Sequence, residues 1–294
     1  MEYNPSPQNL ERSLLQKAVR RGNVELVEKV VKYLISKGDF DWLRKRLAVI
    51  TYEECWTLGT ELRFDKNEHI IIEQYKNLAL AVKNKNAAGL ASLARKLSDG
   101  KTFILENKSA DEVRAIESVS NAMAHKEEFW GWIEKESGYA KHKRRIELAK
   151  EHVTKAVYAT DKTQMFAAAY LCAKDLVPET KFTQPTYNQN FPYWVAFDKH
   201  TEYGKIFIEK AAKEIGCDYN KAAKLAFYCA GSVTNQLMDS PYWGHIIDIG
   251  NDERKIWDEL KPKLIYFTKD HAKALEERIN KPIPQKEDPQ LSLF

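Results

Sequence analysis

Apolar residues recur at steps of three and four along most of the chain, which is the period of an α-helix that buries one face. The first three stripes are Leu10, Leu14, Ala18, then Val24, Val27, Val31, Leu34, then Phe40, Leu43, Leu47, Ile50. Each of the first two stripes ends at a glycine followed at once by an N-cap residue, in Gly22-Asn23 and Gly38-Asp39. A helix stop beside a helix start predicts antiparallel helical hairpins.

The same periodicity continues beyond the first hairpins. It predicts helices at 67–83, 86–98, 144–159, 162–174, 202–215, 218–230 and 251–277. Ser109 and Glu112 have the spacing of a capping box, which predicts one more helix start. Few runs alternate as strands do, so we expect an all-α protein of stacked, antiparallel helices. We divide it into a helical region at 1–100, a second helical region packed with it at 101–279, and a tail at 280–294.

One internal segment, residues 176–194, differs in kind. It is rich in Pro, Asn, Gln and aromatic residues and has no helical stripe. A long irregular loop inside a compact domain is either functional or packed by its own side chains. Its aromatic residues, which could fill a core, are Tyr187, Phe191, Tyr193 and Trp194.

The tail changes composition again after Ile279. Three prolines and four charged residues precede the last five positions, which predicts an extended, solvated and flexible tether. The chain then carries three large apolar residues, and apolar groups on a solvated tail usually belong to a partner. The alternative is that the tail packs back onto the protein as a strap. The last five residues are Gln290, Leu291, Ser292, Leu293 and Phe294.

This pentapeptide resembles the short peptide by which many bacterial polymerases and repair factors bind the β sliding clamp. The resemblance implies that Leu291 enters one apolar depression of the clamp and the pair Leu293 and Phe294 another. Gln290 would satisfy polar groups at the rim. The implied partner is the clamp, and the implied setting is DNA replication or repair.

A second resemblance covers about residues 10 to 100. The residues from Leu14 to Glu28 and from Trp42 to Glu54 are similar to the helical C-terminal region of the replication-associated recombination ATPases, the MgsA or RarA family related to clamp loaders. In that family the region forms an oligomerising collar beyond the ATPase module, which implies that this chain could form a homo-oligomer.

The chain departs from that family because no Walker A loop is present. Gly100-Lys101-Thr102 imitates the end of the motif, but Arg95 stands where the first glycine is needed. The preceding residues also have a helical pattern, whereas a phosphate cradle requires a strand before it. We therefore expect no ATP hydrolysis and no cofactor.

Composition restricts the setting further. Hydrophobic residues make up 44% and charged residues 30%, as in soluble globular proteins, and no stretch is long and apolar enough for a membrane span. We expect no membrane association and a cytoplasmic protein. The four cysteines are far apart in sequence and no histidine completes a zinc site, so we expect reduced thiols and no metal.

A net charge of +4 permits nucleic-acid binding without requiring it. Two groups of basic residues are candidate DNA contacts, and they would bind mostly phosphates. The alternative is that they form the ordinary solvated faces of helices. The groups are Arg20, Arg21, Arg44, Lys45, Arg46 and Lys141, Lys143, Arg144, Arg145.

Asp198, His200 and Glu202 form the densest local set of ionisable residues and follow the irregular loop directly. They could act as general acid and base, although acidic residues at a helix start are commonly caps. The leading hypothesis is a non-enzymatic replication or repair accessory that binds the clamp. The alternatives are a clamp-tethered DNA-processing enzyme that uses these three residues, and a competitor that blocks the clamp.

Overall fold

The computed structural model describes residues 9–55, 67–156, 158–187 and 190–282. Within these ranges the chain forms thirteen α-helices and only isolated β-bridges, with no strand longer than a bridge. The all-α prediction is therefore confirmed. The helices are α1 (Asn9–Arg20), α2 (Val24–Ser36), α3 (Phe40–Glu54), α4 (Glu68–Leu80), α5 (Asn86–Ser98), α6 (Ala110–Ala122), α7 (Lys126–Ile133), α8 (Tyr139–Lys155), α9 (Ala159–Ala173), α10 (Glu202–Glu214), α11 (Tyr219–Ala226), α12 (Pro241–Ile247) and α13 (Asn251–Asn280).

The first three helices form the two predicted hairpins. Gly22 and Gly38 adopt φ of +67° and +81°, the left-handed conformation that glycine tolerates at a helix end. Asn23 caps α2, since its side chain accepts a 3.0 Å hydrogen bond from the backbone N–H of Leu26. Asp39 does not cap α3 with its side chain.

Asp39 instead binds Arg12 of α1. The Nε and Nη2 atoms of Arg12 donate to the two carboxylate oxygens of Asp39 at 2.8 and 2.7 Å. This bidentate geometry is the strong form of the arginine–carboxylate pair. Asp39, which was expected to cap α3, therefore links the turn between α2 and α3 to α1.

The helix after residue 109 begins with the capping box that the sequence predicts. The backbone N–H of Glu112 donates to Ser109 Oγ at 3.2 Å, and the backbone N–H of Ser109 donates to Glu112 Oε2 at 2.9 Å. This prediction is confirmed, because a capping box depends only on residues that are close in sequence.

Other boundaries differ from the sequence prediction. Helix α8 begins at Tyr139 rather than at 144, with a non-helical residue at His142. The sequence predicts a helix at 218–230, but the α-helical part, α11, ends at Ala226. A π-helical turn, Phe227–Gly231, follows it directly. Helices α7 and α12 are short, eight and seven residues, so they show too few turns for a stripe to be recognised.

The main apolar core takes side chains from both predicted helical regions. It contains Leu14 and Leu47 from the first region and Phe166, Phe197 and Leu275 from the second, all buried. A smaller core joins α10, α11 and α13 through a second set of residues. The members of that second core include Ile208, Ala212, Leu225, Leu260 and Leu264.

The irregular segment contributes to the core with only part of its aromatic residues. Phe191 and Tyr193 are buried and Trp194 is half-buried, whereas Tyr187 is 70% exposed. Tyr193 opens a 3-10 turn, Tyr193–Ala196, that packs on α1 and α13. The chain leaves this turn toward Asp198, so the buried aromatic residues fix the position of that carboxylate.

Residues 81–84 run in extended form between two irregular segments. The backbone N–H of Val82 donates to the carbonyl of Lys181 at 2.8 Å, and that of Lys83 donates to the carbonyl of Gln236 at 3.0 Å. All residues from 81 to 90 are buried. Lys83, Asn84 and Lys85 are thereby carried into the interior.

The four cysteines all lie within the described residues. Cys55 and Cys172 are buried, and Cys217 and Cys229 are half-buried, all as free thiols. Burial raises the pKa of the Cys55 and Cys172 thiols to about 12, which makes them unreactive.

Among the described residues no helix combines the length and apolarity needed to cross a membrane.

Candidate functional site

Five charged side chains lie in the interior between α1, α3, α5 and the segment after the 3-10 turn. We call them the buried ionic centre: Lys17, Arg20, Glu54, Lys85 and Asp198, each with at most 2% of its surface exposed. Charged residues are almost never fully buried unless they are paired. The centre is therefore the most unusual chemical feature of the described fold.

The five members reach the centre from four different places in the chain. Lys17 and Arg20 are three residues apart and share one face of α1. Glu54 is the last residue of α3, and Lys85 immediately precedes α5. Asp198 follows the 3-10 turn in the irregular segment.

The charged groups of the centre form ion pairs with one another. Lys17 pairs with Asp198, while Glu54 binds Arg20 with one carboxylate oxygen and Lys85 with the other. Lys17 also donates to Ser13 Oγ at 2.9 Å. Each charge thus has at least one partner of opposite sign, which offsets much of its desolvation cost.

Arg20 uses the rest of its guanidinium on two further acceptors. Its Nη2 atom lies 3.0 Å from Glu53 Oε1, and its Nη1 atom donates to the carbonyl of Gly231 at 3.0 Å. Gly231 closes the π-helical turn. Arg20 therefore ties α1 to α3 and to a segment more than two hundred residues later.

The electrostatics of the centre keep both carboxyls ionised. Burial alone would raise the pKa of Glu54, but Arg20 and Lys85 lower it to about 2. Burial would likewise raise the pKa of Asp198, and Lys17 holds it well below its usual range, with His200 adding to the effect. Neither group is positioned to exchange a proton near neutral pH.

Lys83 is buried beside this centre but has a different role. Its ammonium group donates to the carbonyls of Leu78, Ala79 and Ala81 at 2.8, 3.2 and 2.5 Å. These carbonyls lie at the C-terminus of α4, where a cation is favoured by the helix dipole. Burial lowers the pKa of Lys83 to about 8.

Sequence reasoning missed Lys17, Glu54, Lys83 and Lys85. A signal was present, because Lys17 lies on the same helical face as Leu14 and Ala18, which belong to the buried stripe. A charged residue on an apolar face indicates a buried pair, but the sequence does not reveal the partner.

The predicted catalytic set is brought together only in part. Nδ1 of His200 lies 3.2 Å from Oδ1 of Asp198, and the imidazole is 61% exposed and packs edge-on against Phe227. Glu202 is exposed in the first turn of α10 and Thr201 caps that helix. The buried carboxylate of Asp198 can therefore orient the exposed imidazole of His200. Glu202 is not part of this pair.

The first basic group is not a single surface. Arg20 is buried in the ionic centre, so its charge does not face solvent. Arg21 is half-buried, and its Nη2 atom donates to the carbonyl of Ala230 at 2.7 Å. Arg20 is removed from the candidate DNA contacts, because its donors are consumed by internal acceptors.

The remaining members of that group lie along α3. Arg46 is half-buried and pairs with Asp161 at 3.0 Å, and Arg44 lies 3.4 Å from Asp41. Lys45 is exposed. Of the five predicted residues, Lys45 is exposed, Arg20 is buried and the other three are half-buried, so they do not form one exposed basic patch.

The second basic group lies on α8 and is more accessible. Lys141, Lys143 and Arg144 are exposed, whereas Arg145 is half-buried. Lys141 pairs with Asp175 at 2.9 Å. These residues keep an outward position that DNA phosphates could reach.

The imitation of a Walker A motif forms a helix end. Gly100 follows α5 with φ of +83°, and the backbone N–H of Lys101 donates to the carbonyl of Lys96 at 3.1 Å. This is the hydrogen-bond pattern of a glycine C-cap, so that backbone N–H is already used within the helix end. A phosphate loop, which begins after a strand, is not formed by these residues.

The predicted clamp-binding peptide, Gln290 to Phe294, lies outside the described residues, as does most of the predicted tether before it. The described chain reaches Pro282, just beyond the end of α13.

Among the described residues no group of three His, Cys, Asp or Glu side chains could hold a metal ion. Comparison of the chain with models of protein families, with curated proteins and with solved structures gives no match.

Proposed function

We propose that this chain is an accessory protein of DNA replication or repair that binds the bacterial β sliding clamp through residues 290–294. The observation that carries the proposal is the sequence of that peptide, in which a glutamine precedes three large apolar side chains at clamp-binding spacing. An extended peptide that places such side chains in separate pockets gains affinity from the pockets. A protein with this role works in the cytoplasm, beside DNA.

The end of α13 supports this arrangement. Arg278 binds Glu11 of α1 at 2.8 Å, and Asn280 accepts a 3.1 Å hydrogen bond from Lys29 of α2. The helix is therefore held against the body up to its last residue. From Pro282 the eight residues to position 290 can span at most about 28 Å, enough for a peptide to reach a separate protein.

The helical body is proposed to act as a collar-like domain. What supports this is its all-α architecture of hairpins. A collar-like body implies self-association, which light scattering of the full chain would measure. The body would then present several clamp-binding peptides, which raises the effective affinity.

The decisive experiment is binding of the purified clamp to the full chain in solution. Substituting Leu291, Leu293 and Phe294 together with alanine should abolish binding, because the pockets lose their occupants. Wild-type affinity is expected in about the micromolar range, since an extended peptide loses entropy on docking.

A matched control is Ser292→Ala, which changes the same peptide without removing an apolar anchor and should retain binding within about two-fold. All variants should melt at the wild-type temperature. Equal binding by the triple-alanine variant would overturn the proposal. Loss of melting temperature in that variant would instead support the strap alternative, in which the tail packs on its own body.

The second candidate function is a clamp-tethered DNA-processing enzyme, and the contact between Asp198 and His200 favours it. A buried carboxylate hydrogen-bonded to Nδ1 of an exposed imidazole is the arrangement that orients a general base. The test is incubation with nicked, branched and damaged DNAs, with and without divalent metal. Turnover that is lost in His200→Ala but kept in Glu202→Gln would support it, and no turnover would exclude this site.

A further inference from the structure

An open cavity of about 300 Å³ is lined by residues of α6 and α7 and of the turn between them; we call it the α6–α7 cavity. Its volume is at the lower end of the about 300–1,000 Å³ typical of small-molecule sites, so it fits a ligand about as large as one long side chain. Among the described residues that line it, three are apolar: Ala122, Phe129 and Trp132. The other four are polar: Ser118, Asn121, His125 and Glu128.

Trp132 forms the aromatic wall of the cavity and is held in place by its neighbours. Its ring centroid lies 5.6 Å from that of Tyr170, at an interplanar angle of 31°, and 5.8 Å from that of Phe129. Nζ of Lys174 lies 5.1 Å from the centroid of the indole and 2.7 Å from Oε2 of Glu136. Trp132 is half-buried, so part of its ring contacts α9 and part lines the cavity. The contact with Lys174 shows that this indole attracts a cation.

The polar side chains of the cavity offer hydrogen-bond acceptors that the described part of the chain does not use. Neither Ser118 nor Asn121 makes a side-chain hydrogen bond to another described residue. Nδ1 of His125 lies 4.0 Å from Oε1 of Glu128, whose side chain is 84% exposed. A hydroxyl, an amide carbonyl and a carboxylate all accept hydrogen bonds. A ligand with several N–H donors would therefore find acceptors at the rim of the cavity.

The charge around the cavity favours a cation over an anion. Glu128 is one of the described lining residues, whereas no lysine or arginine is among them. The segment 109–137, which contains α6 and α7, has seven acidic and three basic residues, although the whole chain carries a net charge of +4. Glu117 is exposed one helical turn before Asn121 and forms no ion pair with another described residue. A positively charged ligand is therefore attracted to this region and a phosphate is repelled.

We propose that the α6–α7 cavity binds the guanidinium group of an arginine side chain that a partner protein presents. A guanidinium is planar, stacks on aromatic rings and carries five N–H donors in a fixed fork, whereas a lysine ammonium is compact and strongly hydrated. Trp132 supplies the ring. Acceptors for the fork come from Ser118, Asn121 and Glu128. The rim residues His125 and Glu128 are exposed, so the side chain of another protein can enter between them.

The experiment titrates the full chain with N-acetyl-arginine amide and with N-acetyl-citrulline amide, and follows binding by isothermal titration calorimetry at low salt. The two probes have nearly the same shape, but the citrulline probe has no charge. We expect a Kd in about the millimolar range for the arginine probe, as for other ligands of this size. The citrulline probe should bind at least about five-fold more weakly, because it loses the cation–π and ionic contacts. No binding of the arginine probe, or equal binding of both probes, would overturn the proposal.

Substitutions place the binding in the cavity. Trp132→Ala removes the aromatic wall and should weaken binding of the arginine probe at least about ten-fold. Glu128→Gln removes the carboxylate of the rim and should weaken binding about two- to five-fold, since the group is exposed. The matched control is Glu127→Gln, because Glu127 is 81% exposed but is not among the lining residues. It should bind as wild type does. Equal weakening by the two glutamine variants would contradict the proposed site.

A second variant guards against a folding defect in Trp132→Ala. Asn121→Leu changes an exposed position and leaves the aromatic contacts intact, so it should keep the wild-type melting temperature and weaken binding at least about three-fold. Wild-type affinity in this variant and in Trp132→Ala would overturn the proposal.

Butylguanidine separates a free small cation from an arginine of a partner protein, because it carries the same guanidinium without peptide groups. Binding of N-acetyl-arginine amide at least as tight as that of butylguanidine would support the partner side chain. Binding of butylguanidine alone would overturn that assignment. N-acetyl-lysine amide should bind more weakly than the arginine probe, and equal affinity would overturn the preference for guanidinium. The proposal goes beyond clamp binding, and because the assay contains no clamp, its failure would leave the clamp-binding experiment untouched.

Discussion

Replacing Glu54 with glutamine removes one charge from the buried ionic centre at nearly constant shape. Glu54 is 1% exposed and pairs with Arg20 and Lys85, so both cations lose their shared partner. The pKa of Glu54 falls from 4.5 to about 2 in the folded protein. At about 1.4 kcal/mol per pKa unit, this shift corresponds to about 3 kcal/mol of stability at neutral pH.

That magnitude agrees with the about 3–5 kcal/mol lost when one partner of a buried pair is removed. It is a large part of the about 5–15 kcal/mol that stabilises a typical domain. The measurement is urea unfolding of the full chain followed by circular dichroism. Glu54→Gln should lower the free energy of unfolding by about 3 kcal/mol at about pH 7.

The pH dependence has a definite sign. The folded pKa of Glu54 is depressed, so its contribution is complete above about pH 4.5 and is lost as pH falls through about 2. The difference between wild type and Glu54→Gln should therefore shrink to roughly half or less by about pH 3. A difference that stays constant from pH 7 to 3 would refute this account of the centre.

The control for this measurement is Glu25→Gln. Glu25 is 57% exposed and pairs with Lys29 at 2.7 Å one helical turn away. An exposed pair of this kind contributes below about 0.5 kcal/mol. A loss as large as that of Glu54→Gln would show that burial is not the cause.

Two further substitutions test the buried pair and the first turn. Asp198→Leu alone should lower the free energy of unfolding in urea by about 3–5 kcal/mol, because Lys17 is left charged and buried. The double variant Lys17→Met with Asp198→Leu should be within about 1.5 kcal/mol of wild type. A double variant that is no more stable than the single one would contradict this. Gly22→Ala should cost at least about 1 kcal/mol in melting experiments, because its φ is +67° and a Cβ would lie 2.9 Å from Asn235 Nδ2. Gly38→Ala, where nothing lies within 4 Å, should show the backbone cost alone, and an equal loss at both glycines would exclude a steric contribution.

Most helices could be predicted because a helix depends on residues three and four apart. The stripes of α1 and α2, the left-handed glycines between helices and the capping box of α6 are all local features. Asp39 marks the limit of that reasoning. Its residue type predicts a side-chain cap for α3. Its carboxylate instead accepts two hydrogen bonds from Arg12, which lies 27 positions earlier in the chain.

The candidate DNA contacts show the same limit more strongly. Arg20 and Lys45 are both basic residues on helices, yet one is buried against Glu54 and the other is exposed. Their sequence surroundings do not distinguish them, because burial depends on which helix packs over each face.

Local order along the chain was enough to specify that this protein is helical and where its hairpins turn. Those properties arise from backbone hydrogen bonds and side chains within one or two helical turns of each other. Which charges meet was decided by packing alone. Glu54 with Lys85, and Lys17 with Asp198, come from distant segments, and electrostatic energy depends on distance in space rather than on separation in sequence.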